Sequence, residues 1–200
     1  MSERFQGLKK VPKDPAAKLL SQANVRLKTT LDAPASAPCE TVLTELEAKG
    51  AWVDMLLLLA VMLPPRERVW WACLAARDYI GPKTDKDPRP LTTSEAWVFQ
   101  PTEENREAVQ ASLDTARVDD DTVNCATAVM YADGTLGPGD LAQHPAPAGA
   151  AELSCWAMNL VALKKLSDRF EAHKELLIDR AIDIARGGNG QIAEKEGDTA

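Results

Sequence analysis

The sequence predicts an all-α fold, a single compact bundle of roughly six or seven helices with one long loop rich in glycine and proline. Three observations support this fold class. Apolar residues make up 45% of the chain, and most are alanine or leucine, with few of the isoleucines, tyrosines and phenylalanines that favour strands. They recur at the three-to-four-residue spacing of an amphipathic helix. No segment alternates convincingly between apolar and polar residues, so we expect no strand.

The N-terminal part of the chain, residues 1–38, is expected to be loosely organised, with one short helix and a proline-bearing linker. The all-α domain is expected over residues 39–188. Its first helix covers roughly residues 40–63, and Gly50 interrupts the pattern and can split this helix in two. Beyond Gly50 the residues are apolar all round, which predicts burial on most sides of the helix.

Proline and capping residues mark the starts of the later helices. Pro64 and Pro65 end the first helix and begin the second, because proline fits the first turn of a helix but not its interior. Thr92 and Glu95 have the spacing of a capping box, and Pro101 opens another helix. The same signals and apolar spacing predict three further helices. One is capped near Asp119, one carries Leu153 and Trp156, and one starts near Ser167.

Glycine-rich stretches mark the non-helical segments. Seven glycines and prolines between residues 133 and 149 predict a loop without regular structure. Such a long connection is unusual in a compact domain and tends to be functional, and we expect it to pack across the bundle. Gly187 suits the left-handed end of the last helix, and residues 189–200 are expected to form a disordered polar tail.

Composition argues against several classes of protein. The net charge of −7 argues against a nucleic-acid partner, since phosphate binding needs clustered lysine and arginine. The most apolar stretch, residues 51–63, contains Asp54 and is shorter than the about 20 residues of a membrane span. No signal peptide is visible. The four cysteines are widely spaced, so we expect reduced, buried thiols in a cytoplasmic protein, at Cys39, Cys73, Cys125 and Cys155.

No catalytic, cofactor-binding or metal-binding residue is predicted, because the motifs that carry such chemistry are not recognisable. His144 lies in the loop, and His173 lies at the edge of the apolar face of the last helix. A cysteine–histidine nucleophile would need the fold to bring His173 beside a cysteine. Residues 119–121 are three aspartates, but the glycine of a calcium-binding EF-hand loop does not follow, so we interpret them as a helix cap.

The adjacent Trp70 and Trp71 cannot both face one narrow stripe of core, since neighbours on a helix point about 100° apart. Either the helix is packed on two sides, or one indole is held out for a partner. Trp71 is the candidate for a partner contact, beside Glu67 and Asp78 on the flank away from the apolar stripe. The loop adds three candidate partner-binding residues, Leu136, Pro138 and His144.

Several motifs resemble an uncharacterised family of bacterial all-helical proteins, a domain of unknown function. These are residues 63–73 (LPPRERVWWAC), residues 96–98 with 101–106, the Gly-Pro stretch 134–147, and residues 183–187 (DIARG). The resemblance covers about residues 40–188 and implies a loose association with type VI secretion genes. In the Gly-Pro stretch this chain departs from the pattern, where more prolines and an aromatic residue near Ala132 are usual. The resemblance implies no activity and no catalytic residues.

These observations favour a non-enzymatic cytoplasmic adaptor or accessory protein that binds another protein. One alternative is a small-molecule or peptide binder, with a pocket between helices near Trp70, Trp71 and the loop. A second alternative is a hydrolase or transferase that uses His173 or a cysteine. The identity of the partner and the oligomeric state stay open at this point.

Overall fold

A computed structural model gives the structure of the protein and describes residues 3–192. Over this range the chain forms nine α-helices: α1 (Ala16–Gln22), α2 (Cys39–Ala48), α3 (Trp52–Met62), α4 (Pro65–Ile80), α5 (Arg89–Phe99), α6 (Glu103–Asp114), α7 (Val123–Met130), α8 (Ala150–Lys165) and α9 (Phe170–Arg186). Short 3₁₀ helices lie at Glu3–Phe5, Gly139–Gln143 and Ser167–Arg169. Within the same range there is no strand, only an isolated bridge between Thr135 and Pro145. The all-α class is confirmed, with more helices than predicted.

The helices group into two compact units, whereas the sequence predicts one bundle. Unit 1 consists of residues 1–64 and 163–200, and unit 2 consists of residues 65–162. Unit 1 therefore holds α1, α2, α3, the end of α8 and α9, and unit 2 holds α4 to α7 and the rest of α8. Most of the tail predicted at 189–200 lies outside the described residues.

Residues 3–38, which the sequence predicts to be loosely organised, are packed within unit 1. Phe5 is 0% exposed and Leu8 is 7% exposed. The backbone amide of Lys10 donates to the carbonyl of Ala185 in α9 at 2.8 Å, and α1 contacts α3. These apolar anchors are too far apart in the chain to form a helical pattern, so only tertiary contacts reveal that the segment is ordered.

The predicted split of the first helix at Gly50 is confirmed. Gly50 lies between α2 and α3 and adopts the left-handed region with φ +63°. Residues 55–62 of α3 are buried on all sides, as their apolar composition predicts. The buried carboxylate of Asp54 is satisfied by the backbone amides of Lys28 and Thr29, at 3.1 and 2.7 Å, as a buried charge requires. Across the described part of the chain, no helix has the length and apolar character to cross a membrane.

The capping box predicted at Thr92 and Glu95 is wrong, since both residues lie inside α5. Pro90 occupies the first turn of α5 instead, as its fixed backbone angle favours. Glu95 does not act as a capping residue. Both of its carboxylate oxygens accept hydrogen bonds from Arg77 of α4, at 2.6 and 2.7 Å. At the next helix Thr102 is the cap, and its hydroxyl accepts from the amide of Asn105 at 3.3 Å.

The core of unit 2 is built from small apolar residues of several helices. Its members are buried alanines, cysteines, valines and larger side chains, among them Val69, Ala72, Cys73, Leu91, Val109, Cys125, Val129, Cys155 and Met158. One ion pair crosses from α4 to α8, where Arg68 Nη1 lies 2.7 Å from Glu152 Oε1. Small side chains allow close approach of the helices, and helix α4 is enclosed in its middle, where residues 71–76 are all buried.

The end of α9 provides a test of backbone conformation alone. Gly187 has φ +107°, and a Cβ atom there would meet no neighbour within 4 Å. Gly187→Ala is therefore expected to lower the free energy of unfolding by about 1–2 kcal/mol, the cost of placing an L-residue in the left-handed region. Urea denaturation followed by circular dichroism measures this loss. Gly187→Asn should recover part of this loss, since asparagine tolerates the left-handed region. A free energy of unfolding that is unchanged in Gly187→Ala would contradict the expectation.

Candidate functional site

The two adjacent tryptophans of α4 have different environments. Trp71 is 0% exposed, so its indole is not available to a partner, and the prediction for Trp71 is wrong. From Trp71 to Ala76 every residue is buried, so the helix is packed on two sides there. Trp70 is only partly buried. Glu67 and Asp78, the predicted neighbours of the docking indole, are partly buried as well.

Trp70 packs against Phe99, the last residue of α5. The ring centroids are 5.7 Å apart and the planes meet at 63°, an edge-to-face contact of the kind that aromatic rings prefer. Phe99 is 71% exposed. Arg66 Nε donates to the carbonyl oxygen of Val98 at 2.5 Å, which holds the start of α4 beside the end of α5. The result is an aromatic pair that is open to solvent at one end of unit 2.

The connection from α5 to α6 joins this aromatic pair to the glycine-rich loop. Asn105 Nδ2 donates to the Gln100 carbonyl at 2.7 Å, which tightens the connection. At the start of α6, Glu103 Oε1 accepts from the backbone amide of Gly139 at 3.1 Å. We refer to Trp70, Phe99, residues 100–104 and the loop tip, residues 139–144, as the Trp70–Phe99 surface.

A buried arginine anchors the loop. Arg106 of α6 is 4% exposed, and its guanidinium binds Asp133 through both terminal nitrogens, with one of these contacts at 2.7 Å. It also donates to the Met130 carbonyl and, at 2.8 Å, to Thr135 Oγ1. Burial opposes ionisation of Asp133, but the hydrogen bonds from Thr135 and Arg106 lower its pKa below the usual range. Asp133 is therefore a carboxylate at neutral pH, paired with Arg106.

The loop has more regular structure than its composition predicts. The amide of Leu136 donates to the His144 carbonyl at 2.9 Å, and the amide of Ala146 donates to the Gly134 carbonyl at 2.8 Å. These bonds pair the two limbs, and Gly139–Gln143 forms a 3₁₀ turn at the tip. Of the three predicted contact residues, His144 is exposed, Leu136 is partly buried and Pro138 is buried. Pro138 therefore supports the loop and does not offer a contact.

Charge is unevenly distributed along the chain. Unit 2 contains fifteen aspartates and glutamates but only eight lysines and arginines, which gives it a net charge of −7. The rest of the chain contains fifteen of each and is neutral. Residues 118–163 include six carboxylates and no lysine or arginine. The entire net charge of the protein therefore resides in unit 2, which carries the Trp70–Phe99 surface.

The four cysteines are free and buried, as the sequence predicts. A hydrogen bond to Cys125, together with burial, raises the pKa of Cys73. Burial raises the pKa of Cys155, and it raises the pKa of Cys39 to about 12. A nucleophilic cysteine needs a lowered pKa and access to solvent, and these three thiols have neither.

His173 and the cavities bear on the two alternative functions. His173 is 0% exposed, so a dissolved substrate cannot reach its ring in this structure. Unit 1 contains a cavity of about 420 Å³ lined by residues of the N-terminal segment, among them Leu20, Val25 and Leu27, and neither Trp70 nor Trp71 is a lining residue. Among residues 3–192, no group of three or more histidine, cysteine, aspartate or glutamate side chains is arranged to hold a metal ion.

Two parts of the Trp70–Phe99 surface, Phe99 and the contact of Glu103 with the loop, are not predicted from the sequence. Phe99 belongs to an apolar run, and only its position as the last residue of α5 could have indicated exposure. The helix dipole alone accounts for an acidic residue such as Glu103 in the first turn of α6, but its carboxylate also binds the loop at Gly139. The contact between residues 36 positions apart leaves no local signal in the sequence.

Comparisons with known proteins give a family but no activity. No curated protein matches the chain, and no solved structure matches it. A sequence profile described as "Family of unknown function (DUF6931)" matches residues 42–185. The match covers more than half of the chain, from within α2 to within α9, and it confirms the resemblance to an uncharacterised family. The chain therefore belongs to this family of unknown function.

Proposed function

We propose that the protein is a non-enzymatic adaptor or accessory protein that binds another protein through the Trp70–Phe99 surface. The observation that carries the proposal is the aromatic pair itself, in which a phenyl ring that is 71% exposed stands edge-on to a partly buried indole. Aromatic side chains supply large contact area with few rotatable bonds, and they dominate the energetics of protein interfaces. A partner that covered Phe99 would remove this area from water.

The arrangement around the pair supports the same function. Arg66 and Arg106 fix the ends of α4, α5 and the loop through bonds to backbone and side chains. A surface that is already ordered loses little conformational entropy when a partner binds. The buried His173 and the raised pKa values of Cys73 and Cys155 are unfavourable to the hydrolase or transferase alternative.

The pathway and location belong to the same proposal. We place the protein in the cytoplasm on account of its free, buried cysteines, and in bacteria on account of the family resemblance. The resemblance to proteins met near type VI secretion genes makes a secretion component the first partner to examine. Co-purification from cells that encode such genes would test this pathway.

Phe99→Ala is expected to lower recovery of the partner about tenfold or more, because truncating a central interface aromatic costs about 2 kcal/mol. Tagged wild-type protein, Phe99→Ala and Val118→Ala would be purified from cells that naturally encode the protein, and co-purified proteins would be quantified by mass spectrometry. Val118 is the matched control, since it is a fully exposed apolar residue of unit 2. Equal recovery with all three chains, or no stoichiometric partner for the wild type, would refute the proposal.

A further inference from the structure

Two chain segments of the Trp70–Phe99 surface carry carboxylates. Glu103 and Glu104 begin α6 next to the connection that follows Phe99, and Glu107 lies one turn further along the helix. The loop tip contributes Asp140, which is exposed and next in sequence to the glycine held by Glu103. Carboxylates from two chain segments therefore belong to the Trp70–Phe99 surface, and Glu107 extends them along α6.

The basic residues of unit 2 do not balance these carboxylates at the surface. Five of the eight are engaged within the unit: Arg66 with the Val98 carbonyl, Arg68 with Glu152, Arg77 with Glu95 and Asp87, Arg106 with Asp133, and Arg117 with Asp119. Arg106 is the only basic residue of α6, and it is buried. The exposed charged side chains of α6 are thus all acidic: Glu103, Glu104, Glu107 and Asp114.

We infer that the partner presents a basic segment to the Trp70–Phe99 surface, with lysine or arginine side chains flanking an apolar residue. The inference rests on the proposed function and names the chemistry of its partner. The apolar residue covers Phe99, the flanking cations lie against the carboxylates of α6 and the loop tip, and a guanidinium can stack on the open aromatic faces. Complementary charge of this kind steers association and excludes acidic partners.

The same charge argues against other occupants of the surface. A second copy of the chain would place one acidic surface against another, and like charges opposed in this way cost binding energy. Nucleic acids and anionic lipid surfaces carry the same sign of charge as unit 2 and would be repelled. A basic protein segment is the occupant that satisfies both the apolar pair and the carboxylates.

The test uses the full-length protein and short fluorescein-labelled peptides, with binding measured by fluorescence anisotropy. The probe has a central leucine flanked by arginines, and the comparison peptide has glutamates in place of the arginines. We expect only the arginine peptide to bind, with loss of binding at an ionic strength of about 1 M, where the screening length falls to about 3 Å. Binding of both peptides, or of neither, would overturn the inference.

Two matched variants locate the interaction. Glu104→Gln/Asp140→Asn removes two charges within the Trp70–Phe99 surface, and Asp114→Asn/Asp119→Asn removes two charges at or beyond the opposite end of α6. We expect the first pair to weaken binding of the arginine peptide about tenfold, a loss of about 1.4 kcal/mol, and the second pair to change it less than about twofold. Equal weakening by both pairs would mean diffuse attraction to an acidic protein and would overturn the inference.

The inference can fail while the proposed function stands. If Phe99→Ala abolishes recovery of a cellular partner but that partner binds through a neutral or acidic segment, only the assigned chemistry is wrong. If neither a cellular partner nor the arginine peptide depends on Phe99, the proposed function is wrong as well.

Discussion

Trp71→Ala is expected to lower the free energy of unfolding by about 3–5 kcal/mol, the usual cost of truncating a fully buried tryptophan. Trp71 is 0% exposed and is among the largest fully buried side chains of the protein. Its removal deletes the apolar contacts of the indole and leaves a cavity that the enclosed helix α4 cannot collapse to fill. Urea denaturation at equilibrium, followed by circular dichroism at the helical band, measures the loss.

Trp70→Ala is the matched control, since it removes the same side chain one position earlier in the same helix. Trp70 is only partly buried, and its edge-to-face contact with Phe99 contributes about 1 kcal/mol. We therefore expect Trp70→Ala to keep most of the stability while it weakens binding of a partner at the Trp70–Phe99 surface. If the two substitutions cost the same, the assignment of Trp71 to the core would be contradicted.

Arg106→Ala is expected to destabilise the protein by about 3 kcal/mol, because it leaves buried polar groups without their charged donor. Arg106 binds Asp133, Thr135 and the Met130 carbonyl together. This loss of unfolding free energy is at the lower end of the range for a broken buried ion pair, because the Asp133 side chain is 49% exposed and water can solvate it. Hydrogen exchange should report a second effect, which is faster exchange of the loop amides of Leu136 and Ala146.

Arg117→Ala is the control for this experiment, since Arg117 also pairs with an aspartate, Asp119, but is 82% exposed. An exposed pair of this kind is screened by water and contributes little to the free energy of unfolding. Loop amides should exchange at the wild-type rate in Arg117→Ala. Unchanged stability and unchanged loop exchange in Arg106→Ala would show that the loop does not depend on this anchor.

Local signals in the sequence predict where helices begin and end. Pro64 and Pro65 separate α3 from α4, Gly50 separates α2 from α3, and Gly187 ends α9, each as the backbone preferences of proline and glycine require. Such signals act within a few residues, so they can be recognised without knowledge of the fold. The all-round apolar composition of α3 is a local signal of the same kind, and it predicts the burial of this helix on all sides.

Tertiary contacts decide the features that the sequence left open or predicted wrongly. Trp70 and Trp71 are identical in residue type and adjacent in sequence, and only the packing around α4 determines which indole is buried. Likewise Phe5 is an isolated apolar residue whose burial depends on distant parts of the chain. The partners of Arg106 lie 24 to 29 residues away, so neither its burial nor its role in the loop can be inferred from neighbouring residues.

Because unit 1 is assembled from residues 1–64 and 163–200, its pieces leave the ribosome at different times. All of unit 2 leaves the ribosome before α9 does, and domains generally fold as units once they are complete. Helices α2 and α3 must therefore wait, with their leucine-rich surfaces uncovered, until α9 has left the ribosome. A chaperone that engages the nascent chain would have its longest opportunity at α3, the most apolar of the waiting helices.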